Sequence, residues 1–153
     1  SGSQPSYYVA LGKTNLYLYL AEMINLIEGP DGTSVCGVSS KGILKKIRQR
    51  AGIKSDPYLD GITSKEDMTK LIRNERRIEL CFEDCRFWDV RRWNVPMDEI
   101  NVYGMNIEMD TISNTKTYAP KLVETRRFHS IYMPLPYSEV SIMPNVQQND
   151  GWN

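Results

Sequence analysis

The stretch from Ser64 to Trp93 combines the pattern of an amphipathic helix with charged side chains on its apolar face. It opens with Thr63 and Glu66 at the spacing of a capping box, and Ser64 and Asp67 form a weaker version one residue later, so a long helix is predicted. At about 100° per residue, one face of this helix collects apolar and charged residues together. The apolar ones are Met68, Leu71, Ile72, Ile78 and Phe82, and the charged ones are Glu75, Glu79 and Arg86. Carboxylates in such a place are costly unless paired, so we expect buried partners from another element.

Two shorter helices are predicted before this stretch. The first runs from Leu16 to Glu28 and ends at the Gly-Pro-Asp-Gly sequence of residues 29–32. The second begins after Ser39 or Ser40, either of which can cap it, and ends at Gly52. The apolar stripe of the first helix is Leu16, Leu20, Met23 and Ile27, with Ala21 and Ile24 alongside, and that of the second is Ile43, Leu44 and Ile47. The pair has the size of a tetratricopeptide repeat, about 34 residues, of which about three are needed for a stable array.

The segment after Trp93 has a different character. Residues 94–127 contain prolines, asparagines and threonines and show little alternation, so we expect an irregular layer over the helices. One short strand is predicted at residues 105–109, with a turn at residues 110–114. The returning strand would lie at residues 117–118 or 122–123.

Charge, hydropathy and cysteine spacing exclude several classes of function. Nineteen basic and nineteen acidic side chains cancel, which argues against nucleic acid as a partner. No apolar run reaches roughly 18 residues, the length of a membrane-spanning helix. Three cysteines and the single His129 fit neither a disulfide framework nor a metal site, so no metal or cofactor is expected. Cys81 and Cys85, four apart on a helix, are expected to be small buried hydrophobes.

Several motifs resemble one known family. The run from Asn74 to Trp93, NERRIELCFEDCRFWDVRRW, resembles the ER-x-x-EL-x-FEG-x-R-x-x-DLRRW signature of the SusD/RagB family. Residues 20–22 and 47–52 resemble the LAE and IRxRAG elements of the family's last helical repeat, and residues 128–152 resemble its terminal proline-rich segments. Asp84 stands where the family has glycine, which predicts a left-handed residue there or a helix that continues slightly further.

The resemblance implies a mainly α, SusD-like fold: a tetratricopeptide-like hairpin and a long helix over about residues 15–93. An irregular cap with short strands would follow over about residues 94–153. Ser1-Gly2-Ser3 is typical of a cloning scar, so residues 4–153 are expected to be the C-terminal part of a SusD-like domain.

The same resemblance implies the function. SusD-like proteins are surface glycan-binding lipoproteins of the Bacteroidetes, on the extracellular face of the outer membrane. The expected partners are an oligosaccharide and a SusC-like TonB-dependent transporter, which takes up the sugar in polysaccharide utilisation. Contact with the membrane would be made only through an N-terminal lipid absent from this chain.

The charged residues of the motifs are expected to form a buried ionic clamp that joins the hairpin to the C-terminal cap. Arg48 and Arg50 of the IRxRAG element are the natural partners of Glu75 or Glu79, and Glu79→Ala is expected to cost about 3 to 5 kcal/mol. The whole predicted set is Arg48, Arg50, Glu75, Arg76, Glu79, Arg86, Asp89, Arg92 and Trp93. The last four could instead bind an anion or a sugar, but their apolar neighbours favour packing.

Two other functions stay open. A helical-repeat scaffold could bind protein rather than sugar. A carbohydrate-active hydrolase could use Glu75 and Glu79 as a carboxylate pair, but neighbouring guanidinium groups lower carboxylate pKa values, the wrong direction for a general acid. We therefore expect no enzyme. Tyr103, Tyr118 and Asn101 lie in the irregular segment after Trp93, where aromatic and amide side chains that could bind a glycan are more often exposed. No ligand-binding residue is assigned, because the resemblance implies that the family's sugar platform is formed largely by loops earlier in the chain.

Overall fold

A computed structural model describes residues 12–96, 100–127 and 130–152 of the chain. These residues are mainly helical with one small two-stranded antiparallel sheet, as the sequence predicts at this level. The elements are α1 (Lys13–Glu28), α2 (Ser40–Arg50), α3 (Pro57–Asp60), α4 (Lys65–Glu79), α5 (Cys85–Arg92), β1 (Ile100–Asp110), β2 (Thr115–Arg126) and α6 (Tyr137–Ile142). The chain divides into two compact units, Ser1–Arg86 and Phe87–Asn153. Among the described residues, no helix combines the length and apolarity needed to cross a bilayer.

The first unit is built from α1 and α2, which pack on each other, and from α4, which packs on α1. Ser39 caps α2 by accepting a hydrogen bond from the backbone N–H of Gly42 at 3.0 Å, and Ser64 caps α4 in the same way through Asp67. A continuous apolar core fills the space between the helices. Its members are Leu18, Ala21, Ile24, Ile43, Leu44, Ile47, Leu59, Ile62, Met68, Leu71, Ile72 and Leu80.

Helix α1 faces this core with only part of the apolar set that its spacing suggested. Leu18, Ala21 and Ile24 are buried, whereas Leu16, Met23 and Ile27 are each more than half exposed. Because α1 is apolar on both sides, hydrophobic spacing alone cannot select the inner face. The inner face of α1 is instead the one that carries two buried asparagines. The side-chain amide of Asn25, for example, donates to the carbonyl of Lys65 and to the hydroxyl of Thr69, both at 2.9 Å.

The long helix predicted to reach Trp93 is interrupted. Helix α4 ends at Glu79 and α5 begins at Cys85, and the turn between them holds two left-handed residues, Phe82 (φ 68°) and Asp84 (φ 55°). The left-handed residue predicted at Asp84 is therefore confirmed, and the continuous helix is wrong. The break also removes the residues beyond it from the helical register of α4. Phe82 is consequently fully exposed, and Cys81 is exposed rather than buried.

The second unit contains a long hairpin where an irregular layer was expected. Strands β1 and β2 pair from Ile100 opposite Arg126 to Asp110 opposite Thr115, with one bulge after Val102. The predicted turn at residues 110–114 is present. The Asp110 carboxylate accepts hydrogen bonds from the Ile112 N–H at 2.9 Å and the Ser113 hydroxyl at 2.6 Å. Such local bonds stabilise a turn without a periodic signal in the sequence.

The terminal proline-rich segment is held by side chains that bind its backbone. Gln148 pairs with Leu135 twice, accepting from its N–H at 2.7 Å and donating to its carbonyl at 2.9 Å. The indole N–H of Trp152 donates to the carbonyl of Tyr132 at 2.9 Å. Because the two prolines around Leu135 have no N–H, they cannot donate to a strand ladder. The amide of Gln148 supplies the pairing that a neighbouring strand would otherwise give.

Candidate functional site

Arg48 is the centre of the charged cluster in the first unit. Its guanidinium donates from Nε to Asp56 Oδ2 at 2.5 Å and from Nη1 to Glu75 Oε2 at 2.9 Å. These three residues come from α2, from the N-terminus of α3 and from α4. The Glu75 side chain is only 5% exposed and that of Arg48 only 17%, so the contact is largely shielded from water. One cation thus connects three elements through two carboxylates.

Asp56 has two structural roles at this point. Its other carboxylate oxygen accepts the backbone N–H of Leu59 at 3.1 Å and so caps α3. Burial by itself would raise the pKa of Asp56, but the hydrogen bonds from Arg48 and Leu59 and the charge of Arg48 outweigh it and hold the pKa below its usual range. The pKa of Arg48 is likewise raised, because its bonds to the two carboxylates outweigh the opposite effect of burial.

A second pair lies nearer the surface. Arg50 binds the carboxylate of Glu79, and its other terminal nitrogen donates to the Thr14 hydroxyl at 3.1 Å. The Glu79 side chain is 12% exposed, but that of Arg50 is 61% exposed. The guanidinium therefore stays hydrated, and the pair is not the fully buried one that the sequence suggested.

Arg76 is buried against α1 instead of joining Glu75. Its guanidinium donates to the amide oxygen of Asn15 at 3.1 Å and lies 4.1 Å from the ring centroid of Tyr19. Arg76 is 1% exposed, which makes it the largest fully buried side chain of the described residues. The adjacent residues Glu75 and Arg76 therefore attach α4 to two different helices, α2 and α1.

The remaining residues of the predicted clamp belong to α5 and its end. Asp89 is buried and accepts a hydrogen bond from Arg92 Nε at 2.8 Å. The Arg92 guanidinium lies 4.7 Å from the centroid of the Trp93 ring. Arg86 is exposed, and so is Arg92. The predicted set is therefore divided into the Arg48 cluster, the Arg50 pair, the Arg76 contact and this local group, and only part of it is buried.

The arrangement around Arg48 fits structure better than catalysis. A glycosidase needs two carboxyl groups facing an open cleft, one of them protonated. Glu75 is enclosed and bound by Arg48, and Glu79 is bound by Arg50. In the part of the chain that the structure describes, no group of three or more potential metal ligands comes together.

A different kind of surface lies on the hairpin of the second unit. Cross-strand pairs put Tyr103 beside Leu122, and Ile107 beside Tyr118. The apolar residues of this exposed face are Tyr103, Met105, Ile107, Met109, Tyr118, Pro120 and Leu122, and Lys116 lies opposite Met109 at its end. Tyr118 on β2 lies opposite Ile107, four residues along β1 from Tyr103, so the two tyrosines are offset by about 13 Å in the strand direction. An isolated two-stranded hairpin is marginally stable, and a contiguous exposed apolar patch typically marks a binding surface.

Comparison with known proteins identifies the family. A sequence model of the SusD family matches residues 10–152, which is nearly the whole chain. The chain belongs to the SusD family. Comparison with curated proteins gives no match, and neither does comparison with solved structures. SusD proteins are known as nutrient-binding proteins, so nutrient binding is the coarse function that membership of the family suggests for this chain.

Sequence patterns missed three buried polar residues of the first unit. Asp56 precedes Pro57 in a sequence typical of a loop, yet its carboxylate is one of the two that accept hydrogen bonds from Arg48. Asn15 and Asn25 lie on the inner face of α1, where they bind Arg76 and α4. Two asparagines ten residues apart in an otherwise apolar helix were an available signal, because buried amides require partners.

The two ion pairs should differ in their contribution to stability. Glu75→Ala leaves Arg48 buried with one carboxylate instead of two, and we expect the free energy of unfolding to fall by about 3 kcal/mol. Glu79→Ala leaves Arg50 in water, so the expected loss is about 1 kcal/mol or less. Urea unfolding of both variants measures the difference. Equal losses would contradict the assigned burial.

Asp56 should give the protein an acid-sensitive contribution to stability. The pKa of Asp56 is lower in the folded state than its unfolded value of about 3.9. Its contribution to the free energy of unfolding is therefore fully present above the unfolded pKa and is lost as pH falls through the folded pKa. Asp56→Asn should therefore be destabilising at neutral pH, with the deficit shrinking below about pH 4. Urea unfolding across pH measures this deficit. A deficit independent of pH would contradict the assignment, and the exposed neighbour Asp60→Asn is the control.

Proposed function

We propose that the chain is the C-terminal part of a surface protein that captures oligosaccharide and passes it to a SusC-like TonB-dependent transporter. The observation that carries this proposal is the family match over residues 10–152. The whole protein would be held on the extracellular face of the outer membrane by an N-terminal lipid. The protein acts by binding alone, which agrees with the enclosure of Glu75 beside Arg48.

In this proposal the ionic cluster has a structural role. Arg48, Glu75 and Arg76 hold α4 against a tetratricopeptide-like pair formed by α1 and α2, and none of them touches sugar. The support is the burial of Glu75 and Arg76 and the binding of Arg48 to two carboxylates, since side chains held in this way are not available to a ligand in solution. The charged residues that identify the family therefore maintain the scaffold, and the ligand contacts lie elsewhere.

Candidate sugar contacts lie on the exposed hairpin face. Tyr103 of β1 and Tyr118 of β2 are exposed, share this face and are offset by about 13 Å in the strand direction. Aromatic rings present an apolar surface with a polar tip, which suits the C–H face of a sugar ring and its hydroxyl groups. The separation would allow the two rings to contact different sugar units of one oligosaccharide.

Affinity electrophoresis in gels containing neutral or acidic polysaccharides tests these contacts. At least one polysaccharide should retard the chain, and a Tyr103→Ala, Tyr118→Ala double variant should lose most of the retardation because both stacking surfaces are removed. Tyr58→Ala is the matched control, since Tyr58 is an exposed tyrosine of α3 in the other unit. Replacing both hairpin tyrosines by phenylalanine keeps the rings and should preserve retardation.

The possible results distinguish an error in the assigned sugar contacts from an error in the proposed function. Retardation that survives the double alanine variant would reject the hairpin tyrosines but keep oligosaccharide binding. Release of shorter sugars would revive the hydrolase hypothesis. A protein that is isolated from its membrane without a TonB-dependent transporter, and is retarded by no polysaccharide, would contradict the proposed function as a whole.

A further inference from the structure

The two faces of the β1–β2 hairpin differ in charge. Successive side chains of a strand point to opposite faces, so the pairing of the strands assigns each residue to one face. We call the face that runs from the Tyr103–Leu122 pair to the Met109–Lys116 pair the tyrosine face. The opposite face carries charges of both signs, namely Glu108, Asp110 and Lys121. On the tyrosine face these described pairs include one cation, Lys116, and no acid.

The charge of Lys116 is not neutralised by the described residues. Its side chain is exposed, and it forms no salt bridge with any of them. The nearby acids point to the other face and have other partners. Glu108 accepts a hydrogen bond from the amide of Asn106 at 2.9 Å, and Asp110 is held in the turn by Ile112 and Ser113. The tyrosine face therefore presents a hydrated positive charge at its end near the turn.

Lys116 lies beside one of the two tyrosines assigned to sugar binding. It is two residues from Tyr118 on β2, so both side chains leave the strand on the same side, about 7 Å apart along it. A sugar unit stacked on the ring of Tyr118 would thus have the ammonium group next to it. A negatively charged substituent on that unit gains an attraction that a hydroxyl group lacks.

The other end of the hairpin presents neutral hydrogen-bonding groups. Asn101 lies two residues from Tyr103 on the same side of β1. The hydroxyl of Thr125 donates to the amide oxygen of Asn101 at 2.8 Å. This bond fixes the orientation of the amide, whose nitrogen can donate to a sugar hydroxyl. The two tyrosines are therefore flanked by a neutral amide at one end and by a cation at the other.

We propose that the tyrosine face binds an acidic oligosaccharide, with a negatively charged sugar unit at Tyr118 and Lys116 and a neutral unit at Tyr103 and Asn101. The proposal rests on the sugar binding proposed for the hairpin and names the class of sugar. The ammonium group of lysine is a compact point charge, so it accepts a carboxylate or a sulfate ester equally well. The shared chemistry is thus a sugar that carries either group.

Other classes of sugar match the face less well. A neutral oligosaccharide gains only stacking and hydrogen bonds, and Lys116 adds nothing to its binding. A sugar with an amino group would be repelled by Lys116. An acidic sugar meets no carboxylate on the tyrosine face, because Glu108 and Asp110 lie on the opposite one.

Affinity electrophoresis with matched pairs of polysaccharides tests the class. Polygalacturonan is compared with its carboxyl-reduced form, and dextran sulfate with dextran, so that each pair differs in charge. At low salt the acidic member of at least one pair should retard the chain more strongly than its neutral partner. Added salt should reduce this difference, because it screens exposed charges. Retardation by one pair alone distinguishes a carboxylate ligand from a sulfate ligand.

Variants of Lys116 test the site. Lys116→Gln should weaken binding of the acidic polysaccharide about threefold, the size expected for one exposed ion pair, and leave its neutral partner unchanged. Lys116→Arg keeps the charge and should preserve binding. Lys121→Gln is the matched control, because it removes an exposed lysine from the opposite face of the same hairpin. Each mobility is divided by that of the same variant in a gel without polysaccharide, which removes the effect of its own charge.

Three results would overturn the proposal. The first is equal retardation by the acidic and neutral members of both pairs, which would leave oligosaccharide binding intact and reject the acidic class. The second is equal weakening by Lys116→Gln and Lys121→Gln, which would show attraction to overall charge. The third is an unchanged affinity of Lys116→Gln in the whole surface protein, of which this chain is proposed to be the C-terminal part. Absence of retardation by every polysaccharide would count against oligosaccharide binding itself.

Discussion

The partly buried guanidinium of Arg48 connects three elements of the first unit. It requires carboxylates from two directions, and Asp56 and Glu75 supply them from the start of α3 and from α4. If any of the three elements were displaced, a charge would remain buried and unpaired, at a cost of several kcal/mol. Apolar packing alone tolerates small shifts of one helix along another, whereas this contact does not. The charged cluster therefore selects one arrangement of helices that the apolar core could otherwise vary.

The neighbouring residues Glu75 and Arg76 explain why α4 can hold both helices of the pair. Consecutive residues on a helix point about 100° apart, so they face different neighbours. Glu75 reaches α2 through Arg48, and Arg76 reaches α1 through Asn15 and the ring of Tyr19. The Glu75-Arg76 dipeptide of the family motif thus attaches α4 to both α2 and α1. This structural role accounts for the strongly charged residues on the inner side of α4.

Local signals in the sequence predicted local structure well. Ser39 caps α2 as predicted, and the turn at residues 110–114 is where the turn chemistry placed it. The cap of α4 is Ser64, the weaker of the two predicted candidates, rather than Thr63. The predictions that failed concern which face of a helix is buried and where a helix ends. Spacing in α1 could not choose between two apolar faces, and the break after Glu79 depends on left-handed residues such as Phe82 that no propensity favours. At the candidate site, Arg48 was predicted to find an acid on α4, but the second acid, Asp56, was hidden in a loop pattern.

The central claim is that Arg48 and Glu75 act together as a structural contact between α2 and α4. A double-mutant cycle with Arg48→Met, Glu75→Gln and the combined variant measures this directly, because it isolates the coupling from the effects of each substitution alone. Urea unfolding should give a coupling energy of about 2 kcal/mol, with the double variant less damaged than the sum of the single ones. A coupling energy near zero would contradict the account, because it would mean that the two residues contribute independently.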